Sequence, residues 1–285
     1  MLWLAALLVA TGAMDLLGLN AILAPLRNAS YALYADSTVV SAKRVLGAMP
    51  EASSFGGATA SVFAILLLLR HRFGPGWPWI VCTIGTGAFA ILSTSSTAYA
   101  MMLAAGLAFL LQSALHLSSG SARDRVGAVN AVCLAAGLCA VALVVVLWSD
   151  DLAATVGGVV DEVVLRKASS GSFEERTRWT AAGLQAFLSS GGLGIGAGSA
   201  RTSNGFVNIL ASTGCVGALL FAGFLAKILC TPAAPADRSD AWAVRLALIP
   251  SAVGFLLAGT TSDYGPLTAI LFGLAAHPVG ERDPP

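Results

Sequence analysis

The sequence predicts an all-α integral membrane protein with about eight transmembrane helices. Of its 285 residues, 56% are hydrophobic and only 11% are charged, and the mean hydropathy is +0.80. A soluble domain carries about 25% charged residues. Apolar runs long enough to cross a bilayer, which takes about 20 residues, recur along the chain. The formal net charge of +1 produces no overall field that would attract nucleic acid, so we expect no nucleic-acid partner.

The apolar runs predict spans near residues 2–23, 54–70, 77–94, 97–117, 127–148, 205–229, 242–259 and 265–277. No Lys or Arg precedes the first run and no clean cleavage site follows it, which favours a membrane helix over a signal peptide. Asp15 and Asn20 within this helix should then face protein or water. The Ser/Thr-rich turn at 93–97 predicts a tight hairpin between the third and fourth spans, and the last span is short enough to be re-entrant.

Basic residues in the short loops predict the orientation. Arg70 and Arg72 share one side with Arg123 and Arg125 if the spans alternate, and short basic loops stay in the cytoplasm. Two longer loops, residues 24–53 and 149–204, then face outward. We therefore expect one polytopic domain over residues 1–285.

Cysteine and histidine spacing predicts neither a metal nor a cofactor. The five cysteines lie in or beside apolar segments without a CxxC pair, and the three histidines are scattered. Such cysteines are expected to be small packing residues.

The larger outer loop is predicted to contain an amphipathic helix. Ser172-Phe173-Glu174-Glu175 has the pattern of a capping box, with Ser172 as the N-cap, and the helix should end near Ser190. Residues 176, 179 and 183 then share one face. The helix is either a surface helix with solvated arginines, or one whose Arg176 and Arg178 bind a phosphate near the positive helix end.

A glycine cluster follows this helix, with Gly191, Gly192, Gly194, Gly196 and Gly198 in eight residues. Such a segment can be a plain hinge, or its backbone N–H groups can form an anion-binding nest. Arg201, which is followed by Thr202-Ser203-Asn204, favours the anion site.

The first outer loop supplies a second polar group. Lys43-Arg44 precedes Pro50-Glu51-Ala52-Ser53-Ser54-Phe55 at the start of the second span. Glu51 either complements the helix dipole, worth about 0.3–1 kcal/mol, or serves as a base that takes a proton from a sugar hydroxyl.

In this order, these segments resemble the O-antigen ligase and polymerase family of bacterial surface-polysaccharide assembly. Arg44 with Gly47, and then Pro50 to Phe55, is similar to the family's Arg…Gly and Pro-Glu-Pro-Ser loop, with Ala52 in place of the second proline. The resemblance continues in the Ser/Thr-rich turn Leu92–Tyr99, in Arg176…Trp179, in Gly194–Ser203 and in Leu210–Gly217.

The resemblance implies a metal-independent, inverting transfer of glycan repeats from an undecaprenyl-pyrophosphate carrier to an acceptor glycan on the outer face. It implies a multi-pass protein of the bacterial inner membrane, working beside a chain-length regulator or other polysaccharide-assembly proteins. Arg44, Arg176, Arg178 and Arg201 would bind the diphosphate and Glu51 would be the base. Substrate binding would also be supported by Gly196, Gly198, Ser199, Ser203 and Asn204.

Two departures refine this expectation. Ligases of the family carry a His-Asn pair where this chain has Ser203-Asn204, which favours a polymerase over an O-antigen ligase. Family members also carry several more N-terminal helices, so we expect a chain that lacks them. The alternatives are a small-anion transporter, in which Asp15 and residues 191–198 would line a path, and an inactive truncated relative that assists another membrane protein.

Overall fold

The computed structural model describes residues 1–27, 38–39, 42–73, 76–119, 129, 150–161, 165–166, 171–231, 238–262 and 264–276. The chain divides into two compact units, Met1–Lys167 and Ala168–Pro285. The expectation of one polytopic domain stays a prediction.

The described part of unit 1 is mainly helical. Its helices are α1 (Leu2–Leu16), α2 (Asn20–Leu23), a 3-10 turn (Ala24–Leu26), α3 (Ala52–Leu68), α4 (Arg70–Phe73), α5 (Trp77–Leu92), α6 (Ser96–Ser119) and α7 (Asp150–Val160). Two short strands, β1 (Thr38–Val39) and β2 (Ala42–Lys43), pair antiparallel with Thr38 opposite Lys43.

Gly18 ends the first helix earlier than the sequence predicted. Its φ of +77° is left-handed, a conformation that glycine adopts without steric cost. The N–H of Gly18 donates to the Asp15 carbonyl at 3.1 Å, and the N–H of Leu19 donates to that of Met14 at 2.9 Å. This is the Schellman pattern of a helix C-terminus, and it splits the predicted helix 2–23 into α1 and α2.

Small residues let the helices of unit 1 approach closely. α3 packs against α5 and α6, and α1 packs against α5. A Cβ on Gly12 would lie 2.7 Å from the Phe89 ring, and Phe89 in turn meets buried Phe55 edge-on, with ring centroids 6.2 Å apart. Close packing over small residues is typical of helices in membranes.

Unit 2 consists of α8 (Gly171–Ser189), α9 (Gly205–Cys230), α10 (Arg238–Ala258) and α11 (Gly265–Ala276). α9 contacts the other three helices, and α10 also packs on α11. α8 begins one residue before the predicted N-cap Ser172.

α9 is broken at Gly214, although its sequence predicts a continuous helix. Gly214 has φ +67° and ψ −170°, a combination essentially restricted to glycine. The break leaves backbone groups without helical partners, and the glycine cluster supplies them. The N–H groups of Ile195 and Gly196 donate to the carbonyls of Ala211 (2.8 Å) and Ser212 (3.0 Å).

Three described helical segments are long and apolar enough to cross a membrane: Ser96–Leu115, Gly205–Cys230 and Ala241–Ala258. The apolar helices α1, α3, α5 and α11 are shorter. The helical membrane class is therefore supported, while the number of eight spans stays a prediction. The predicted span 127–148 lies outside the described residues except at position 129.

Candidate functional site

A fully buried carboxylate organises the first polar cluster, in unit 1. The side chain of Asp15 is 0% exposed, and its Oδ2 accepts hydrogen bonds from the backbone N–H groups of Leu46 (2.7 Å) and Gly47 (3.1 Å). Asp15 thereby fastens the loop between β2 and α3 to the end of α1. The prediction that Asp15 faces protein or water is confirmed.

Two cations neutralise this carboxylate. Lys43 Nζ lies 2.8 Å from Oδ1, and Arg27 Nη2 lies 3.3 Å from Oδ2. Arg27 also donates from Nε to the Gly47 carbonyl at 2.8 Å and from Nη1 to Asn20 Oδ1 at 3.1 Å. Sequence reasoning missed Arg27, because no local pattern connects it with positions 15 and 47.

Arg44 lies against the Ser/Thr-rich turn between α5 and α6. Its Nε donates to Thr94 Oγ1 at 3.1 Å, and the neighbouring Val45 N–H donates to the Leu92 carbonyl at 3.3 Å. Thr94 has φ +46°, an uncommon conformation for a residue other than glycine. Two segments singled out in the sequence, the Arg44 loop and the 93–97 turn, are thus in direct contact.

Glu51 occupies the N-cap position of α3, with an extended backbone and no side-chain cap bond. Its carboxylate accepts a hydrogen bond from the Ser53 hydroxyl at 2.9 Å. A carboxylate at this position complements the positive end of the helix dipole. Its role as a base stays a prediction.

In unit 2, the two arginines of α8 lie on different faces. Arg176 is half-buried, whereas Arg178 is exposed and forms an i,i+4 ion pair with Glu174. The side chains of this pair are 73% and 66% exposed, so the pair adds little to stability. Of the two predicted phosphate ligands, Arg176 is the one on the packed side of the helix.

Arg201 stacks on Trp179 of α8. Its Cζ lies 4.8 Å from the centroid of the ring, which is cation–π geometry. One turn further along α8, a Cβ on Gly183 would lie only 2.4 Å from Thr202 Cγ2. The absence of a side chain at Gly183 thus lets the Arg201 segment lie directly on the face that carries Arg176 and Trp179.

The glycine cluster uses much of its backbone internally. Besides the two bonds to α9, the N–H of Gly194 donates to Ser190 Oγ at 2.9 Å and the N–H of Ser199 donates to the Gly196 carbonyl at 3.2 Å. These groups close the break in α9 and shape the turn. The two interpretations of this segment, a hinge and an anion nest, stay predictions. At Gly198 (φ +81°), a Cβ would meet open space.

Asn204 and Ser203 are engaged at the start of α9. Asn204 is the N-cap, and its Oδ1 accepts from the Val207 N–H at 3.1 Å. Ser203 is 6% exposed. Capping of this kind is the usual role of Asn before a helix, so Asn204 has a structural role beside the predicted one.

Asn208 is a buried residue that sequence reasoning missed. It is 0% exposed, and its Nδ2 donates to the carbonyls of Ala200 (3.1 Å) and Thr260 (3.0 Å). Its Oδ1 accepts from the Ser212 hydroxyl at 3.2 Å. One amide therefore holds the residue before Arg201, the loop after α10 and the last turn before the break in α9.

The chemistry of the two clusters differs. In unit 1, Asp15 pairs with both Lys43 and Arg27, which leaves the cluster one net positive charge, and its bonds to the N–H groups of Leu46 and Gly47 fix the loop that carries Arg44. In unit 2, Arg201 lies over the Trp179 ring, four residues before the membrane-length helix α9 begins, and Arg176 lies one turn before Trp179 on the same face of α8. Comparisons with protein-family models, curated proteins and solved structures give no match to this chain.

Proposed function

We propose that this chain is a membrane glycosyltransferase of the polysaccharide-polymerase type. It transfers glycan repeats from an undecaprenyl-pyrophosphate carrier to an acceptor glycan at the outer face of a bacterial cytoplasmic membrane. The observation that carries the proposal is the stack of Arg201 on Trp179, on the α8 face that also carries Arg176. The order of the sequence motifs supports it.

The position of Arg201 suits a lipid-linked substrate. Arg201 precedes Gly205, where a helix long and apolar enough to cross a membrane begins, by only four residues. A diphosphate between a polyprenyl chain and a sugar would lie at that depth, in the headgroup region. Guanidinium groups match phosphate oxygens in pairs and stay charged.

The reaction requires little from the protein beyond a base that accepts a proton and cations that stabilise the leaving group. The acceptor hydroxyl oxygen attacks the anomeric carbon, the bond from that carbon to the diphosphate oxygen breaks, and the hydroxyl proton passes to a base. Negative charge grows on the departing diphosphate, and fixed cations stabilise it there. Arg201 and Arg176 provide those cations, while Glu51 stays the predicted base and Arg44 and Arg178 stay predicted diphosphate ligands.

A polymerase fits the start of α9 better than an O-antigen ligase does. At the position where ligases carry a His-Asn pair, this chain has Ser203, which is buried, and Asn204, which caps the helix. Neither side chain supplies an imidazole for proton transfer. A chain-length regulator or another polysaccharide-assembly protein is the partner expected of such an enzyme.

The test is replacement of the two arginines in a bacterial strain whose surface polymer depends on this chain. Arg201→Ala and Arg176→Ala should each abolish the polymer while membrane levels of the protein stay normal. Losing one donor that stabilises a developing charge costs about 10²–10³-fold in rate. Lys at either position should restore activity only in part, because it binds phosphate as a point charge.

Arg166→Ala is the matched control. Arg166 is 74% exposed and pairs with Asp161, so its loss should leave the polymer unchanged. Polymer of normal amount and length distribution in both test variants would refute the proposed function.

A further inference from the structure

The indole of Trp179 is held in place by the packing of α8 on the segment after the glycine cluster. Trp179 is half-buried, whereas Arg201 is exposed. One helical turn away, α8 and this segment lie so close that a Cβ on Gly183 would be 2.4 Å from Thr202 Cγ2. Buried Asn208 fixes the carbonyl of Ala200 on the other side of Arg201. The ring therefore belongs to a packed framework, on which the long side chain of Arg201 rests.

Stacking orders a guanidinium without using its hydrogen-bonding capacity. An arginine side chain has about 2 kcal/mol of rotamer entropy to lose when it becomes ordered. Arg201 Cζ lies over the aromatic ring, 4.8 Å from its centroid, which is the distance of a cation–π contact. A fork ordered in this way loses less entropy when it binds two phosphate oxygens.

We infer that Trp179 is a positioning residue of the diphosphate site, which orients Arg201 through its aromatic face. The inference rests on the proposed function. It assigns Trp179 a role through Arg201 alone, without contact with the reacting atoms. The inference therefore predicts that the two residues are coupled: a substitution of Trp179 weakens diphosphate binding only while Arg201 is present.

The test is binding of undecaprenyl diphosphate to the full chain in detergent micelles, with undecaprenyl monophosphate as a comparison ligand. Trp179→Leu removes the aromatic face and should raise Kd for the diphosphate about two- to fivefold, the equivalent of about 0.5–1 kcal/mol for an exposed cation–π contact. Trp179→Phe should stay within about twofold of wild type, because it keeps an aromatic face. Arg201→Ala should raise Kd more than about tenfold.

The decisive variant combines Trp179→Leu with Arg201→Ala. Its Kd should equal that of Arg201→Ala alone, because the ring then has nothing to orient. An equal loss from Trp179→Leu in both backgrounds would show a general effect on folding and overturn the inference. If Trp179→Leu does not fold, Trp179→Met, which also lacks a ring, takes its place in the same cycle.

The outcomes separate the two proposals. If wild type binds the diphosphate and Trp179→Leu binds it equally well, the inference about Trp179 is wrong and the proposed function stands. If wild type binds neither lipid, or Arg201→Ala binds as wild type does, both proposals fail.

Discussion

Replacement of Asp15 by Asn removes a buried negative charge and keeps the size of the side chain. In the wild type this carboxylate faces Lys43 and Arg27, at 2.8 Å and 3.3 Å, and accepts two backbone N–H groups. An amide oxygen can still accept N–H groups, but it cannot balance two cations. The expected result is a less stable unit 1, in which the loop between β2 and α3 is fastened less firmly to α1.

The magnitude follows from the burial of the three groups. Breaking a buried ion pair by removing one partner costs about 3–5 kcal/mol. The Lys43 side chain is 39% exposed, whereas that of Arg27 is 10% exposed, so water compensates part of the loss at Lys43. We therefore expect the low end of the range, about 3 kcal/mol. At about 2–4 °C per kcal/mol, the melting temperature should fall by about 6–12 °C.

The assay is thermal unfolding of the full chain in detergent micelles, followed by far-ultraviolet circular dichroism. Asp161→Asn is the matched control, since it is the same substitution in the same unit. Asp161 pairs with Arg166 at 2.7 Å, but these side chains are 42% and 74% exposed. Exposed pairs contribute about 0.2–1 kcal/mol, so the control should lower the melting temperature by less than about 4 °C.

Two results would refute this reasoning. One is an equal shift in melting temperature for Asp15→Asn and Asp161→Asn, which would mean that burial of the carboxylate has no consequence. The other is strict additivity of Asp15→Asn and Lys43→Gln. Contacting charges should instead show a coupling of about 0.5–3 kcal/mol in a double-mutant cycle.

Two further predictions concern unit 2 and use the same unfolding assay. Gly214→Ala should destabilise the chain by at least about 2 kcal/mol, because the φ/ψ of Gly214 is closed to alanine and a Cβ there would lie 2.4 Å from the Leu193 carbonyl oxygen. Gly223→Ala in the same helix has nothing within 4 Å of its Cβ and should be neutral or stabilising by up to about 1 kcal/mol; equal losses would contradict the break. Asn208→Leu should lower the free energy of unfolding by about 2–5 kcal/mol, because it leaves two buried carbonyls without their hydrogen-bond donor. Asn208→Asp loses the same donor and should cost no less. A wild-type melting temperature for either variant would contradict the bridging role of Asn208.

Much of the helical pattern could be predicted from the sequence, because apolar runs of membrane length leave little alternative to helix. The described helices α3, α5, α6 and α8 lie close to the expected ranges. In unit 1, the helix α7 (Asp150–Val160) lies in a segment predicted as loop, and Gly18, whose left-handed φ ends α1, shortens the first predicted helix. A lone glycine inside an apolar run does not by itself distinguish a helix end from a tolerated interior position.

The break in α9 could not be predicted, since its cause lies elsewhere in the chain. Gly214 is one of several glycines in an unbroken apolar run. The glycine cluster packs against Gly214 and so supports its conformation. A Cβ on Gly194 would lie 2.5 Å from the Gly214 nitrogen. The cluster's composition did predict unusual dihedrals, and Gly191, Gly192, Gly194, Gly196 and Gly198 all have positive φ. It did not reveal that the N–H groups of Ile195 and Gly196 donate to carbonyls of α9.

Contacts of the site residues could be predicted from the sequence only where the partners are close along the chain. The pairing of Arg178 with Glu174 follows from i,i+4 spacing and could have been read from the sequence. The contact between Arg44 and Thr94 spans fifty positions, and the bonds of Asn208 to residue 260 span fifty-two. Contacts of that separation depend on how the helices pack, which a single sequence does not specify.

The internal pairing of polar groups bears on the choice between transfer and transport. A transport path through a membrane protein needs polar groups that are open to the passing ion, often at a broken helix. The transport alternative would use Asp15 and residues 191–198. Asp15 pairs with two cations and accepts two N–H groups, and the N–H groups of residues 195 and 196 donate to carbonyls of α9. These named groups are paired within the protein. Arg201 instead lies over Trp179, four residues before the membrane-length helix that begins at Gly205, which is the position that the proposed function requires. This pairing is the reason that we propose group transfer rather than transport.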